Sequence, residues 1–327
     1  MSASKIEWTN ETWNPVTGCS RVSPGCDNCY ALRRARMLEH NPNAKIAERY
    51  RGSTWKFTNG LIDWTGKARY HEDLLYLPLH WKKPRRVFVC SMSDLFHPDV
   101  PFEFIQELFG VIGLCPQHTF QILTKRPERM LEFYNRSMDG ISWHLPRRAY
   151  EHLPNLWLGV TAENQETADE RIPLLLKTPA AVRFVSVEPM LGPVDLSYNG
   201  LGIPCPTCKG QGEISDPKHW MHPKQTGDEP DENWCLDCDR IALGIHWVIC
   251  GGESGPGARP MAPAWARNLR EQCNDAGGVP FFMKQMGGVR DKRAKVSDLP
   301  EDLRIREYPE VTERKKTRNA TDGCEKI

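Results

Sequence analysis

Six short apolar runs, spaced by helix-like stretches, constrain this chain more than anything else in it. They lie at residues 87–90, 120–123, 156–160, 182–187, 246–250 and 279–283. Each is strand length and rich in β-branched or aromatic residues. Most show little polar alternation, as expected of strands buried on both faces of a parallel sheet. Between them, residues 102–113 place Phe104, Ile105, Leu108, Phe109 and Ile112 at helical spacing. Residues 127–135 and 163–177 read similarly. Residues 263–276 start on a proline and precede a glycine pair, which is sound helix punctuation. Repeated strand–helix alternation predicts an α/β fold, with a parallel sheet open or closed into a barrel.

Two stretches break the rhythm. Residues 202–240 hold two cysteine pairs, many Pro, Gly, Asp and Lys, and few apolar residues, so they read as an insertion with little core of its own. Residues 41–84 are irregular, mixing aromatic and basic side chains. The expected layout is a barrel over 1–201 and 241–290, a cysteine-rich insertion over 202–240, and a charged, partly mobile tail over 291–327.

Twelve cysteines are many for such a chain, and seven fall in two tight groups. No run of about 18 apolar residues is present and residues 1–10 lack the apolar centre of a secretory signal, so a cytoplasmic protein without a membrane span is expected. In that compartment clustered thiols bind metal more often than they pair. In the first group Cys19, Cys26 and Cys29 stand within eleven residues. Three thiolates around a cubane leave one iron without a protein ligand. A closed zinc site wants four ligands. The alternatives are therefore an open iron–sulfur cluster, a zinc site completed by a distant His or Cys, or three unrelated core thiols.

The segment Cys26-Asp-Asn-Cys29-Tyr30 resembles the radical S-adenosylmethionine superfamily. There the usual spacing between cysteines is three residues and then two; here it is six and then two. With Asn14-Pro-Val-Thr-Gly-Cys19, Ser91-Met-Ser-Asp-Leu-Phe-His97 and Ser186-Val-Glu-Pro-Met-Leu-Gly-Pro193, the chain resembles that superfamily's phage-associated three-cysteine-motif family. The resemblance implies a [4Fe-4S] cluster on Cys19, Cys26 and Cys29 whose open iron chelates S-adenosylmethionine. It implies reductive cleavage of that molecule to a 5′-deoxyadenosyl radical, which abstracts hydrogen from a substrate. A reductant such as flavodoxin or ferredoxin is implied too.

The second group, Cys205-Pro-Thr-Cys208 and Cys235-Leu-Asp-Cys238, supplies four thiolates in two knuckles. Structural zinc is the expected occupant, with an auxiliary iron–sulfur cluster as the rival. Metal binding would supply the segment's folding free energy. The fold class expected is thus α/β, a partial parallel (β/α) barrel of about six strands with a small zinc-ribbon-like insertion.

Barrels of this kind work at the carboxyl ends of their strands. Residues just past the predicted strands are Ser91, Ser93 and Asp94; Thr124, Lys125 and Arg126; Thr161, Glu163 and Asn164; Ser186 and Glu188; and the run Gly251-Gly252-Glu253-Ser254. By the resemblance, Ser91, Ser93 and Asp94 are candidates for the methionine amine, Lys125 or Arg126 for its carboxylate, and Glu163 for a ribose hydroxyl. Glu188 and Glu253 join the cofactor set, and Gly251 and Gly252 would let backbone approach adenine or substrate. His97 is a candidate proton donor, Cys90 and Cys250 candidate hydrogen-atom donors. For each, a helix cap, salt bridge or buried thiol is the plain alternative.

Net charge is +1, so nucleic-acid binding would need local patches. Arg33, Arg34 and Arg36, and Lys82, Lys83, Arg85 and Arg86, supply basic clusters. Trp55, Trp64, Tyr70 and Trp81 interleave with the latter. Three functions stay open: a radical enzyme acting on a base in DNA or RNA or on a nucleotide, a radical enzyme acting on a small metabolite or peptide, and a non-enzymatic metal module that binds a partner.

Overall fold

The computed structural model describes residues 4, 6–138, 153–197, 200–201, 244–290 and 293–310. In chain order its elements are β1 (Glu11–Trp13), β2 (Val16–Thr17), α1 (Tyr30–Glu39), α2 (Ala44–Tyr50), β3 (Thr54–Lys56), β4 (Ile62–Trp64), β5 (Arg69–Tyr70) and α3 (Glu72–Leu75). The repeating part follows: β6 (Arg86–Val89), α4 (Phe102–Gly113), β7 (Thr119–Thr124), α5 (Pro127–Met138), β8 (Leu156–Thr161), α6 (Gln165–Leu176), β9 (Val182–Val187), β10 (Trp247–Gly251), α7 (Pro263–Asp275) and β11 (Phe281–Gln285).

Seven strands form one curled parallel sheet, a half-barrel, in the order β1-β6-β7-β8-β9-β10-β11. The sequence predicts about six. The seventh, β1, has only three residues, Glu-Thr-Trp, too short for a periodic signal, and it pairs with β6 through Thr12 and Phe88. Helix boundaries follow local chemistry. Asn164 and Thr167 close a capping box at the start of α6. Pro263 opens α7, where its missing N–H costs nothing.

Side-chain parity sorts the sheet into two faces. Val87, Val89, Ile122, Leu158, Val185 and Met283 belong to the larger core, shared with helix residues such as Ile105, Ile172 and Leu269. Phe88, Trp157, Phe184, Trp247 and Phe282 form a second cluster with Trp8, which arrives from the N-terminal segment. Trp8 lies 4.6 Å from Phe88 and 6.2 Å from Trp247, ring centre to ring centre. These rings fill the inside of the half-barrel. Gly159 belongs to the same layer because a Cβ there would come within 2.5 Å of the Phe184 ring.

Residues 293–310, the described part of the charged, partly mobile tail expected over 291–327, include packed side chains. Leu299 and Leu303 are buried in the large core, and the Tyr308 ring lies 5.4 Å from Trp247. Phe282 bridges to Arg306. Apolar residues are sparse there, but Leu299 and Leu303 are both buried, so composition alone understates the packing. Residues 41–84, irregular in the sequence, fold into α2, the β3–β4 hairpin, β5 and α3. Leu201 pairs with Ile245, so the chain departs and returns at adjacent points around residues 202–243. Cys205, Cys208, Cys235 and Cys238, with the zinc expected on them, lie outside the described residues.

Candidate active site

The loop after β2 carries the three clustered cysteines and lies across the carboxyl ends of the strands. Cys19, Cys26 and Cys29 are all free thiols and all line one cleft. Burial pushes the Cys19 thiol up to about 12, with the Asp94 carboxylate adding to the rise and Arg126 opposing it. Burial also raises Cys29, against backbone N–H groups of α1 and the charge of Lys125. Metal-free, the Cys19 and Cys29 sulfurs are therefore held as thiols, and binding an ion would release protons. Among the described residues no three His, Cys, Asp or Glu side chains converge on a point that a single ion could occupy. A cubane asks for less convergence, since each thiolate takes a different iron.

Most of the charged residues expected to hold cofactor also fasten this loop. Asp94 is 6% exposed; it accepts from the Thr124 hydroxyl, the Phe96 and Lys125 amides and the Arg126 guanidinium. Arg126 in turn donates to the carbonyl and hydroxyl of Ser20. His97, 2% exposed, meets the same Ser20 hydroxyl at 3.0 Å through Nε2, while its Nδ1 accepts from the Asp99 amide. Burial lowers the His97 pKa and Arg126 lowers it further, so it is a neutral strut at neutral pH. It does not line the cysteine cleft.

Farther round the mouth, Glu163 follows β8 and is fully buried. It accepts from the Ser23 hydroxyl and pairs with Arg171 at 3.1 Å and Lys125 at 3.5 Å. Burial resists its ionisation, but Lys125, Arg171 and Ser23 outweigh that and hold the carboxyl below its ordinary value. Gly25 sits directly on it: a Cβ would fall 2.3 Å from Glu163 Oε1. Glu253, after β10, accepts from the Asn28 amide at 2.9 Å and from the backbone and guanidinium of Arg259. Arg259 also donates to the Pro24 carbonyl. Three strand ends thus grip the loop at Ser20, Ser23 and Asn28.

Ser91 donates to Asn14, and Ser93 donates to the Val16 carbonyl, beside a backbone bridge between Ser93 and Gly18. Both line the cysteine cleft. Cys90 lines it too, buried, with φ at +59°. Cys250 does not: its parity on β10 turns it to the helix-facing core, where its Sγ lies 3.7 Å from the Met190 sulfur. It lines neither cleft. The Gly251 carbonyl accepts from Met190, and the Gly252 amide donates to Gln285, so both serve the sheet edge, with Gly252 also on a cleft wall.

A second cleft opens beside the first, sharing Cys29, Tyr30, Phe88, Leu123, Lys125 and Thr161 with it. It holds about 150 Å³ of space and opens to solvent. Its floor is Trp8 and Phe88. One wall holds an ion pair between Glu188 and Lys284. Thr161 and Ser186 are buried, line the cleft, and their hydroxyls have no hydrogen-bond partner among the described residues. The sequence reading misses Asn28, Arg259, Lys284 and Trp8. Lys284 had a signal, a lone charge inside the apolar strand Phe-Phe-Met-Lys-Gln; Arg259 had none.

Residues 3–327 match the family described as "Protein of unknown function (DUF5131)". The chain belongs to this family. No curated protein matches it. Among solved structures it is similar to a cysteine-to-serine mutant of spore photoproduct lyase, at a TM-score of 0.34 and 12% identity over 57% of this chain. The similarity spans about half of that structure, 48% of its length. A likeness that loose says nothing of this member's chemistry. Among the described residues no helix is long and apolar enough to cross a membrane.

Proposed function

We propose that this protein is a radical S-adenosylmethionine enzyme of the phage-associated three-cysteine-motif kind, with Cys19, Cys26 and Cys29 holding a [4Fe-4S] cluster. One observation carries the reading. Three unpaired thiols line a cleft that shares its wall with a second cleft at the mouth of a parallel half-barrel. The donor set fits the group: three sulfurs, and none of Asp94, Glu163 or Glu253 competing as an iron ligand, because their oxygens are taken up by neighbouring donors. When bound, the cluster and S-adenosylmethionine supply one-electron cleavage of the sulfonium and a 5′-deoxyadenosyl radical.

The chain's own residues do the rest. Asp94, Arg126, Glu163, Glu253 and Arg259 hold the loop so that the thiols keep their placement without the group. That is preorganisation, which lowers the ordering cost at binding. Lys125, shared by both clefts, would meet a carboxylate there. The free hydroxyls of Thr161 and Ser186 offer donors to a ribose or a base. The aromatic floor excludes water from beneath the reacting groups. The substrate we propose is a nucleic-acid base or nucleotide, supported by the apolar lining that Trp8 and Phe88 give the cleft beside those polar groups. Zinc on Cys205, Cys208, Cys235 and Cys238 is part of the proposal, as is an external reductant such as flavodoxin or ferredoxin.

The test is anaerobic reconstitution of the full chain with iron, sulfide and dithionite. The reading expects four irons at the N-terminal thiols and release of 5′-deoxyadenosine, both abolished in Cys26→Ala. Oxygen-protected protein that carries only zinc there would overturn it.

A further inference from the structure

From residue 30 to residue 70, nine Lys or Arg stand against three Asp or Glu, in a chain whose net charge is only +1. These residues build a lobe of α1, α2 and the β3–β4 hairpin around its own small core, which includes Leu32, Tyr50 and Trp64. All three acids are already neutralised: Glu39 by Arg36, Glu48 by Arg51 and Asp63 by Arg21. Arg34, Lys45, Lys56, Lys67 and Arg69 are exposed and have no acidic partner among the described residues.

The hairpin has two unlike faces. Its register pairs Thr54 with Trp64, Trp55 with Asp63 and Lys56 with Ile62. Trp64 turns to α1 and is buried. The opposite parity carries Trp55, Phe57 and Leu61, which are 59%, 48% and 65% exposed. Asp63 lies on that same face, and Arg21 Nε, donating to both of its carboxylate oxygens, ties the face to the cysteine loop. Val22, next along that loop, is 44% exposed and lines the cysteine cleft. An apolar, aromatic strip on a basic lobe therefore runs to the lip of the reaction site. The other aromatics of the region are committed elsewhere: Trp81 packs under Arg85, and Tyr70 against Phe104.

We propose that this strip is a docking platform for single-stranded nucleic acid, with Trp55 and Phe57 stacking on bases while the unpaired Lys and Arg residues follow the phosphates. Unpaired bases are required because a ring standing proud of the surface can stack only on an exposed base face. The unneutralised cations select a polyanion. The assignment deepens the proposed function and takes from it only the strand's destination; the surface stands on its own observations.

Fluorescence anisotropy on the reconstituted full-length protein tests it. Probes are a labelled oligonucleotide of about 20 nucleotides, its duplex and an acidic peptide, each between about 50 and 200 mM salt. The expected result is tighter binding of the single strand, a steep loss with salt, and weakening of ~10-fold or more in Trp55→Ala/Phe57→Ala. Lys56→Gln should flatten the salt slope, and Leu114→Ala, at an exposed site outside the lobe, should change nothing. Equal or tighter binding of the duplex or the acidic peptide, or an unchanged Trp55/Phe57 double variant, would overturn the proposal. The double variant should still release 5′-deoxyadenosine without a strand. Strand binding without any 5′-deoxyadenosine would fault the cluster assignment alone; 5′-deoxyadenosine without strand binding would fault the platform alone.

Discussion

The guanidinium of Arg126 donates to both the carbonyl and the hydroxyl of Ser20, at 3.0 and 2.8 Å, while Asp94 holds its other terminal nitrogen. A strand end is thereby bolted to the residue that follows Cys19. Arg126→Gln leaves the Asp94 carboxylate buried with its charge unopposed. The expected loss is about 3 kcal/mol of stability in denaturant titration, with lower iron retention. The pair Asp94→Asn/Arg126→Met removes both charges and should regain part of the stability but not the iron retention.

Gly25 is the tightest point of the loop. Gly25→Ala puts a methyl 2.3 Å from Glu163 Oε1, and that carboxylate cannot retreat because Arg171 and Lys125 hold it. The loop must move instead. Iron per chain should fall sharply while far-ultraviolet circular dichroism stays at the wild-type level. Wild-type iron content in this variant would show that the loop is looser than its contacts imply.

Lys284 and Glu188 pair on the wall of the second cleft, with side chains 12% and 18% exposed. Lys284→Met strands Glu188 at low exposure. We expect product formation to fall ~10-fold or more with 5′-deoxyadenosine release less affected, since the pair faces the ligand space rather than the thiols. Adding Glu188→Gln should cost less than the sum of the single changes, by about 1 kcal/mol or more, as residues in contact do.

His246 carries a pH dependence unrelated to the site. Burial, then the like charge of Arg183, brings its pKa from 6.5 down to about 4, and its Nδ1 accepts from the Arg183 amide. Between those pH values the unfolded chain binds the proton and the folded one does not. Its stabilising contribution is therefore complete above about pH 6.5 and declines as pH falls towards 4, by at most ~1.4 kcal/mol per unit. Urea midpoints measured across that window should drop with acid, and more shallowly in His246→Gln.

The core strands and helices were legible because their signals are local: β9 spans residues 182–187 as read, and α4 residues 102–113. Strand β1 was not, since three residues carry no period. The roles of the strand-end polar residues were only half legible. Their type and position marked Arg126, Glu163 and Glu253 as important, but Ser20, Ser23 and Asn28, which they hold, lie 106, 140 and 225 residues away in the chain. Nothing in a one-dimensional pattern links such partners.

By itself, then, the sequence determined the parallel α/β plan and the grouping of Cys19, Cys26 and Cys29, because periodicity and short-range spacing are written along the chain. Tertiary structure alone decided that Cys250 faces the helices, that His97 braces Ser20, and that Trp55 is exposed while Trp64 is buried. Which face a side chain takes depends on strand register and on what packs opposite, and both are set only when distant segments meet.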